Sequence, residues 1–470
     1  MKWLRAGFAL GALGAALLTS ALARAQVCEG RPTDPGGSAG FSYGTAELAF
    51  FDSASGRARI HYSLAGSHAP EPANSMRSDV PDAVLVAAQA ADDALQRFEE
   101  LGYRAPLGDG DSPCSSNGES GAIDVYLANF PSADGQAVHD FCEDGSPQRC
   151  AGYVVVENDF SGGAYADVAE GLRTVVPHEL FHLVQDGYDA GVDRWWAEGS
   201  AQWAAKQVYP ELGDLERFLP AFFESPWRPL DQPPAGVVSS FLYATAIWPV
   251  FLDQVYDPDV LREVFESLDG EQSVFEATDG VLQARGSSLS EAHLRFALLN
   301  AATGDRAPSS GGYAAAADYP MVELTPFPLT PGATVSEVAA GLGSFYYAVE
   351  SDAPLELSLE ADPERVAALL VPLRNGDADV DAAVPLPATL EGSGIVVVVG
   401  QSLARTDAPF ELLANTPRAQ NSHDLGESGC ALVSGGRARS ANAGALAGFV
   451  VSLSGLMWAR ARPRAQRKDA

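Results

Sequence analysis

Basic residues are scarce in this chain of 470 residues: 30 Lys and Arg stand against 62 Asp and Glu, a formal net charge of −32. Ten of those basic residues and a single acid fall in residues 1–25 and 431–470, so residues 26–430 keep 20 basic against 61 acidic residues, a net of −41. A surface that acidic repels phosphate backbones and anionic lipid, which excludes nucleic acid as a partner of this region. It suits solubility outside a cell, or attraction of cationic substrates. Cysteine is rare as well, at five residues, and no CxxC pair or Cys/His cluster argues for a structural zinc site. No internal repeat is present. Apolar residues are not lacking: at 46% they are too many for a mainly disordered protein, and the length fits two or three domains.

Both ends read as addresses. Lys2 and Arg5 precede the apolar run Ala6–Leu18, and Ala23-Arg24-Ala25 offers a small-x-small cleavage site, so residues 1–25 form a secretory signal peptide. At the other end, residues 417–440 are a polar tether containing Cys430. Residues 441–459 are uncharged and mostly apolar, about long enough to span a membrane. Residues 460–470 carry Arg460, Arg462, Arg464, Arg467 and Lys468, which fixes that end in the cytoplasm. Gly429-Cys430, the span and the Arg cluster resemble the tripartite C-terminal sorting signal of myxobacterial surface proteins. The resemblance implies removal of the tail near Cys430, after a stay in the inner membrane, and display at the cell surface or secretion.

Four cysteines remain in the exported part: Cys28, Cys114, Cys142 and Cys150. In an oxidising compartment an even number suggests two disulfides, with three connectivities to choose from. The short loop favours Cys142–Cys150, which leaves Cys28–Cys114.

The chain reads as α+β. Residues 26–40 form an irregular, Gly- and Pro-rich lead-in, followed by strands over 46–51 and 58–64. Apolar residues at helical spacing mark a helix over Val80–Gly102, with Gly102 as its stop. Strands are expected at Ala122–Asn129 and Gly152–Glu157, with the Cys142/Cys150 loop between them. From about 165 to 303 the period is helical. A Ser/Gly/Ala linker follows, and residues 318–416 switch to short alternating runs, which suggests a small antiparallel β-sandwich. One catalytic domain over 26–305, with an α/β lobe and a helical lobe, then precedes the β domain.

The chemistry is concentrated in Val175–Ala204. His178-Glu179-Leu180-Phe181-His182 is an HExxH motif; on a helix, two imidazoles four residues apart can share one metal ion, with Glu179 angled off toward its water. Gly187 and Gly191 end that helix, and a second one starting near Asp193 or Arg194 presents Glu198 sixteen residues after His182. Two imidazoles and one carboxylate leave zinc an open fourth position, as a catalytic site requires.

The two halves, with Trp195-Trp196-Ala197-Glu198-Gly199-Ser200-Ala201 as the second, resemble the gluzincin class of zinc peptidases. The resemblance implies a zincin-like catalytic domain with Zn2+ held by His178, His182 and Glu198, and Glu179 as general base. It also implies a peptide aligned on an edge strand near the metal, for which Gly152–Glu157 is the candidate. A downstream Tyr243, or Tyr188 between the ligand segments, would donate to the oxyanion. Two departures stand out. Pro177 directly precedes His178, so the helix either starts near Thr174 or is kinked. Gln202 stands where some members carry an acid that orients a ligating His, a role open to Asp186, Asp189 or Asp193.

The other histidines, His61, His68, His139, His293 and His423, have no metal spacing and read as structural or solvated. Trp195, Trp196 and Trp203 read as core or as cleft walls, Arg173 and Arg194 as helix surface. Asp377-Ala378-Asp379-Val380-Asp381 starts like a calcium loop but meets Ala388 where the closing Glu belongs, and reads as a solvated turn. The expectation is an exported, monomeric zinc metallopeptidase acting on a peptide or protein. Two alternatives stay open: a non-catalytic cell-surface binding or scaffold protein, and a zinc hydrolase acting on another amide or ester.

Overall fold

The computed structural model describes residues 30–415, apart from 35–36, 38–40, 73–74, 78, 109–117, 119, 131–132, 163, 236–238, 329–331 and 403–405. The signal peptide, Cys28, Cys114, the tether with Cys430, the apolar span and the basic tail lie outside the described residues. Among the described residues no helix is long and apolar enough to cross a membrane.

The chain opens with strands β1 (Leu48–Asp52) and β2 (Ala58–Ser63), helix α1 (Asp82–Glu100), and strands β3 (Ile123–Ala128), β4 (Gly135–Cys142) and β5 (Cys150–Glu157). These strands form one sheet in the order β1-β2-β3-β5-β4, parallel across β2-β3-β5 and antiparallel at both edges. All eight residues of β5 are buried, as expected of an apolar run with neighbours on both edges and both faces. The expectation of an edge strand at Gly152–Glu157 is therefore corrected. The chain turns back through the Cys142–Cys150 disulfide, whose two residues pair directly, and lays β4 outside β5. The β4 pattern, Gly-Gln-Ala-Val-His-Asp-Phe-Cys, carries few apolar residues, so only the pairing with β5 reveals a strand in place of the expected loop.

Alternation divides the sheet. Val125, Leu127, Val154 and Val156 face the helices, while Tyr126, Tyr153 and Val155 face the lead-in with Phe41 and Tyr43. Two carboxylates sit on that second side, Asp124 of β3 and Asp140 of β4, and the fully buried Arg31 pairs with both, at 3.2 Å and 2.9 Å. His61 bonds the other oxygen of Asp124 at 2.8 Å. The lead-in is irregular, but it completes the sheet's back.

On the helical side follow α2 (Val168–Asp186), α3 (Arg194–Val208), the short α4 (Asp214–Phe218), α5 (Pro220–Phe223) and α6 (Ser240–Ala244), then α7 (Ile247–Val255), α8 (Asp259–Ser267), α9 (Val274–Ala284) and α10 (Leu289–Ala301). The last part is β6 (Thr325–Pro326), β7 (Ala333–Ala339), β8 (Ser344–Ala361), β9 (Val366–Arg374), β10 (Asp377–Ala378), β11 (Val384–Pro385), β12 (Ala388–Gly400) and β13 (Ala408–Asn415).

In place of two facing sheets, these strands form a single eight-stranded sheet. Two of the short alternating runs, Phe345–Val349 and Leu355–Leu359, are parts of one long strand, β8. β12 shows how the sheet is used. Ile395, Val397 and Val399 join the core of the helices, while Val396 and Val398 join a second core built from the sheet's own strands. Tyr346 donates to the carbonyl of Ala297 on α10 at 3.1 Å. Both sheets and the helices thus share one continuous apolar core. The Asp-rich turn after β9 is closed by Asp379, which accepts from the Ala382 N–H at 3.2 Å and pairs with Arg374.

Candidate metal centre

Helix α2 begins earlier than Pro177 suggests. Asp167 caps it, its side chain accepting from the Glu170 N–H at 2.8 Å, and the helix runs through Pro177 without ending. An interior proline costs about 3 kcal/mol. The burial of α2 on nearly all sides, Leu172, Val176, Leu180, Phe181 and Val184 among others, outweighs that cost. His178, Glu179 and His182 then fall on its middle turns. Gly187 ends it as expected, and α3 starts at Arg194 after Asp193, folding back antiparallel.

The hairpin brings three donors together. His178 Nε2 lies 3.1 Å from His182 Nε2 and 3.3 Å from Glu198 Oε2, and His182 Nε2 lies 3.6 Å from the same oxygen. A tetrahedral zinc with bonds of about 2.0–2.1 Å sets neighbouring donors about 3.3 Å apart. The three separations bracket that value, so the donor set fits the ion in type and in spacing. Electrostatics agree. Burial pushes the Glu198 carboxyl up, but its hydrogen bonds with both imidazoles outweigh this and hold it well below the carboxylate range. Burial pushes His182 down, while its bond to Glu198 and the charges of Glu198 and Glu179 carry it up to about 10. Positive charge is favoured at the point where the three meet.

Glu179 stands beside this point. Burial raises its carboxyl, with the two histidines pulling the other way, and the backbone N–H of Ala137 on β4 hydrogen-bonds it. The strand comes close because residue 135 is glycine. A Cβ there would sit 2.5 Å from Val175 Cγ1 and 2.8 Å from Glu179 Cγ. Tyr243 is on α6, its ring 5.8 Å from that of His178 and stacked on Phe218 at 4.8 Å. Burial, with the charges of Glu198 and Glu179, raises its hydroxyl above its ordinary range, so it keeps its proton at neutral pH. Tyr188 is placed elsewhere. Its hydroxyl accepts from the Arg104 N–H at 2.9 Å, and its ring packs on Tyr103 and Phe265.

His178, Glu179 and Tyr243 border a cavity of about 550 Å³, with Phe130, Phe160 and Tyr165 among its other walls. Trp195, Trp196 and Trp203 do not wall it; all three are buried core. The acids expected to orient a ligand are engaged otherwise. Asp186 pairs with His139 at 3.0 Å, which raises that imidazole. Asp189 accepts from the Gly191 N–H at 2.9 Å, and Asp193 precedes the first turn of α3. The group on His182 Nδ1 is Gln185 Oε1, at 2.8 Å. Gln185 follows His182 by three positions, a spacing that puts the two on one helix face and could have revealed it.

No family model matches the chain, and no curated protein does. Among solved structures, Aeromonas hydrophila PliG, a periplasmic lysozyme inhibitor of g-type lysozyme, is similar at 11% identity over 20% of this chain and 94% of its own, with a TM-score of 0.16. Salmonella Typhimurium PliG is similar at 13% identity over 20% and 99%, with a TM-score of 0.15. Legionella pneumophila aminopeptidase A, solved with aspartic acid, is similar at 12% identity over 78% of this chain and 37% of its own, with a TM-score of 0.33. Likenesses this slight leave the site to be read from its own geometry.

Proposed function

We propose that this chain is an exported zinc-dependent peptidase. The observation that carries the reading is the convergence of His178, His182 and Glu198 at tetrahedral spacing, with Glu179 and Tyr243 bordering the same cavity. His178, His182 and Glu198 would hold the ion, which supplies Lewis-acid chemistry and makes water acidic enough to attack near neutral pH. Glu179, its carboxyl raised by burial, takes the proton of the attacking water and returns it to the leaving amine. Tyr243, protonated and beside His178, donates to the oxyanion that forms on the scissile carbonyl. β4 ends the sheet order, so an extended peptide can pair with its outer edge and lie across Glu179.

Metal analysis and a peptide-library digest of the purified exported chain test this, with Glu179→Gln and Tyr243→Phe alongside. All three proteins should hold one zinc. Hydrolysis should be lost in Glu179→Gln and fall about 10²–10³-fold in Tyr243→Phe. A Glu179→Gln variant as active as wild type overturns the mechanism, and a wild-type chain without stoichiometric zinc favours a non-catalytic scaffold.

A further inference from the structure

The side chain of Gln185 is buried between the two helices that carry the metal-site residues, and all its polar atoms are committed. Its Nε2 donates to the carbonyl of Ala197 at 2.9 Å and to Ser200 Oγ at 3.0 Å. Ser200 in turn donates its own proton to the carbonyl of Trp196 at 2.6 Å. A backbone carbonyl only accepts, and a hydroxyl that has given its proton can only accept from a second partner. The amide nitrogen must therefore face α3, and the amide oxygen must face His182. An oxygen there demands a donor, so His182 carries a proton on Nδ1 and presents Nε2 as the atom facing His178 and Glu198.

We propose that Gln185 is a positioning residue for the metal centre: its amide fixes His182 with Nδ1 protonated and Nε2 free for metal, and it locks α2 against α3 at Ala197, the residue before Glu198. The inference rests on the zinc reading above. Acids more commonly hold a ligating histidine in this way. Here a neutral amide does so, because a carboxylate could not also donate to the Ala197 carbonyl. One side chain thus sets the ring of the second ligand and the helix register of the third.

The test compares zinc affinity by competition with a chromophoric chelator in the full exported chain, wild type beside Gln185→Met and Gln185→Glu. Far-UV circular dichroism confirms that each variant is folded. Gln185→Met keeps the volume but removes both halves of the clamp, and zinc affinity should fall about 10–100-fold. Gln185→Glu restores an acceptor for Nδ1–H, and its affinity should return toward wild type although its helix pairing is weakened. In the zinc-loaded wild type, ¹⁵N NMR of the His182 ring should show the proton on Nδ1. Wild-type affinity in a folded Gln185→Met, or a proton on Nε2, overturns the role of Gln185 while leaving the zinc reading intact. A wild-type chain that binds no zinc overturns both.

Discussion

Gly199 and Thr245 meet where a side chain would not fit: a Cβ on Gly199 would lie 2.5 Å from Thr245 Oγ1 and 3.1 Å from the Ala246 nitrogen. Gly199 follows Glu198, the third ligand of the proposed metal centre, and Thr245 lies two residues past Tyr243. The Thr245 hydroxyl also lies 2.6 Å from the Trp195 carbonyl at the start of α3. The missing side chain is what lets α6 rest on α3 and set Tyr243 against His178. Gly199→Ala should cost about 1–3 kcal/mol of stability through overpacking. It should lower kcat about tenfold or more with zinc retained, as read from urea unfolding and steady-state kinetics.

Gly135 has the same role on the other side of the site. Gly135→Ala presses on Val175 and on the Glu179 side chain itself. On the proposed mechanism, displacing the Glu179 carboxylate by a fraction of an ångström should lower kcat at least about tenfold. KM and zinc content should change little. Equal losses in kcat and in zinc content would point instead to collapse of the whole centre.

Arg31 tests the back of the sheet. Removing it leaves Asp124 and Asp140 buried without their shared cation, and burial already raises Asp140. Breaking a buried pair from one side costs about 3–5 kcal/mol. Arg31→Met should lose that much in urea unfolding, and adding Asp124→Asn and Asp140→Asn should recover most of it.

His293 gives the fold an acid limit. It is 1% exposed on α10, beside the backbone of Leu342 and Gly400, and burial pushes it down to about 4. An unfolded chain takes up this proton near pH 6.5, whereas the folded chain resists it until about pH 4. Stability from this group is therefore complete above pH 6.5 and is lost as pH falls toward 4, by about 3 kcal/mol. Unfolding free energies of wild type and His293→Gln at pH 7 and pH 4.5 should differ in their pH dependence by most of that amount.

The HExxH spacing, Glu198 on the next helix, the short disulfide loop and most helix and strand positions were legible in the chain, because each rests on periodicity or on residues a few positions apart. Of the two readings open at Pro177, the structure excludes a start near Thr174, since the start is set by the Asp167 cap and the burial of the helix rather than by local propensity. What sequence could not show depends on contacts between distant segments. That β4 lies outside β5, and so faces Glu179, follows from pairing and not from its own weak pattern. That Tyr243 rather than Tyr188 lies beside His178 turns on Gly199 letting α6 come near. The replacement of two sheets by one follows from β12 burying both its faces at once, against α10 on one side and its own sheet on the other. Local rules wrote the donors and their spacing; the packing of non-adjacent elements decided which groups surround them.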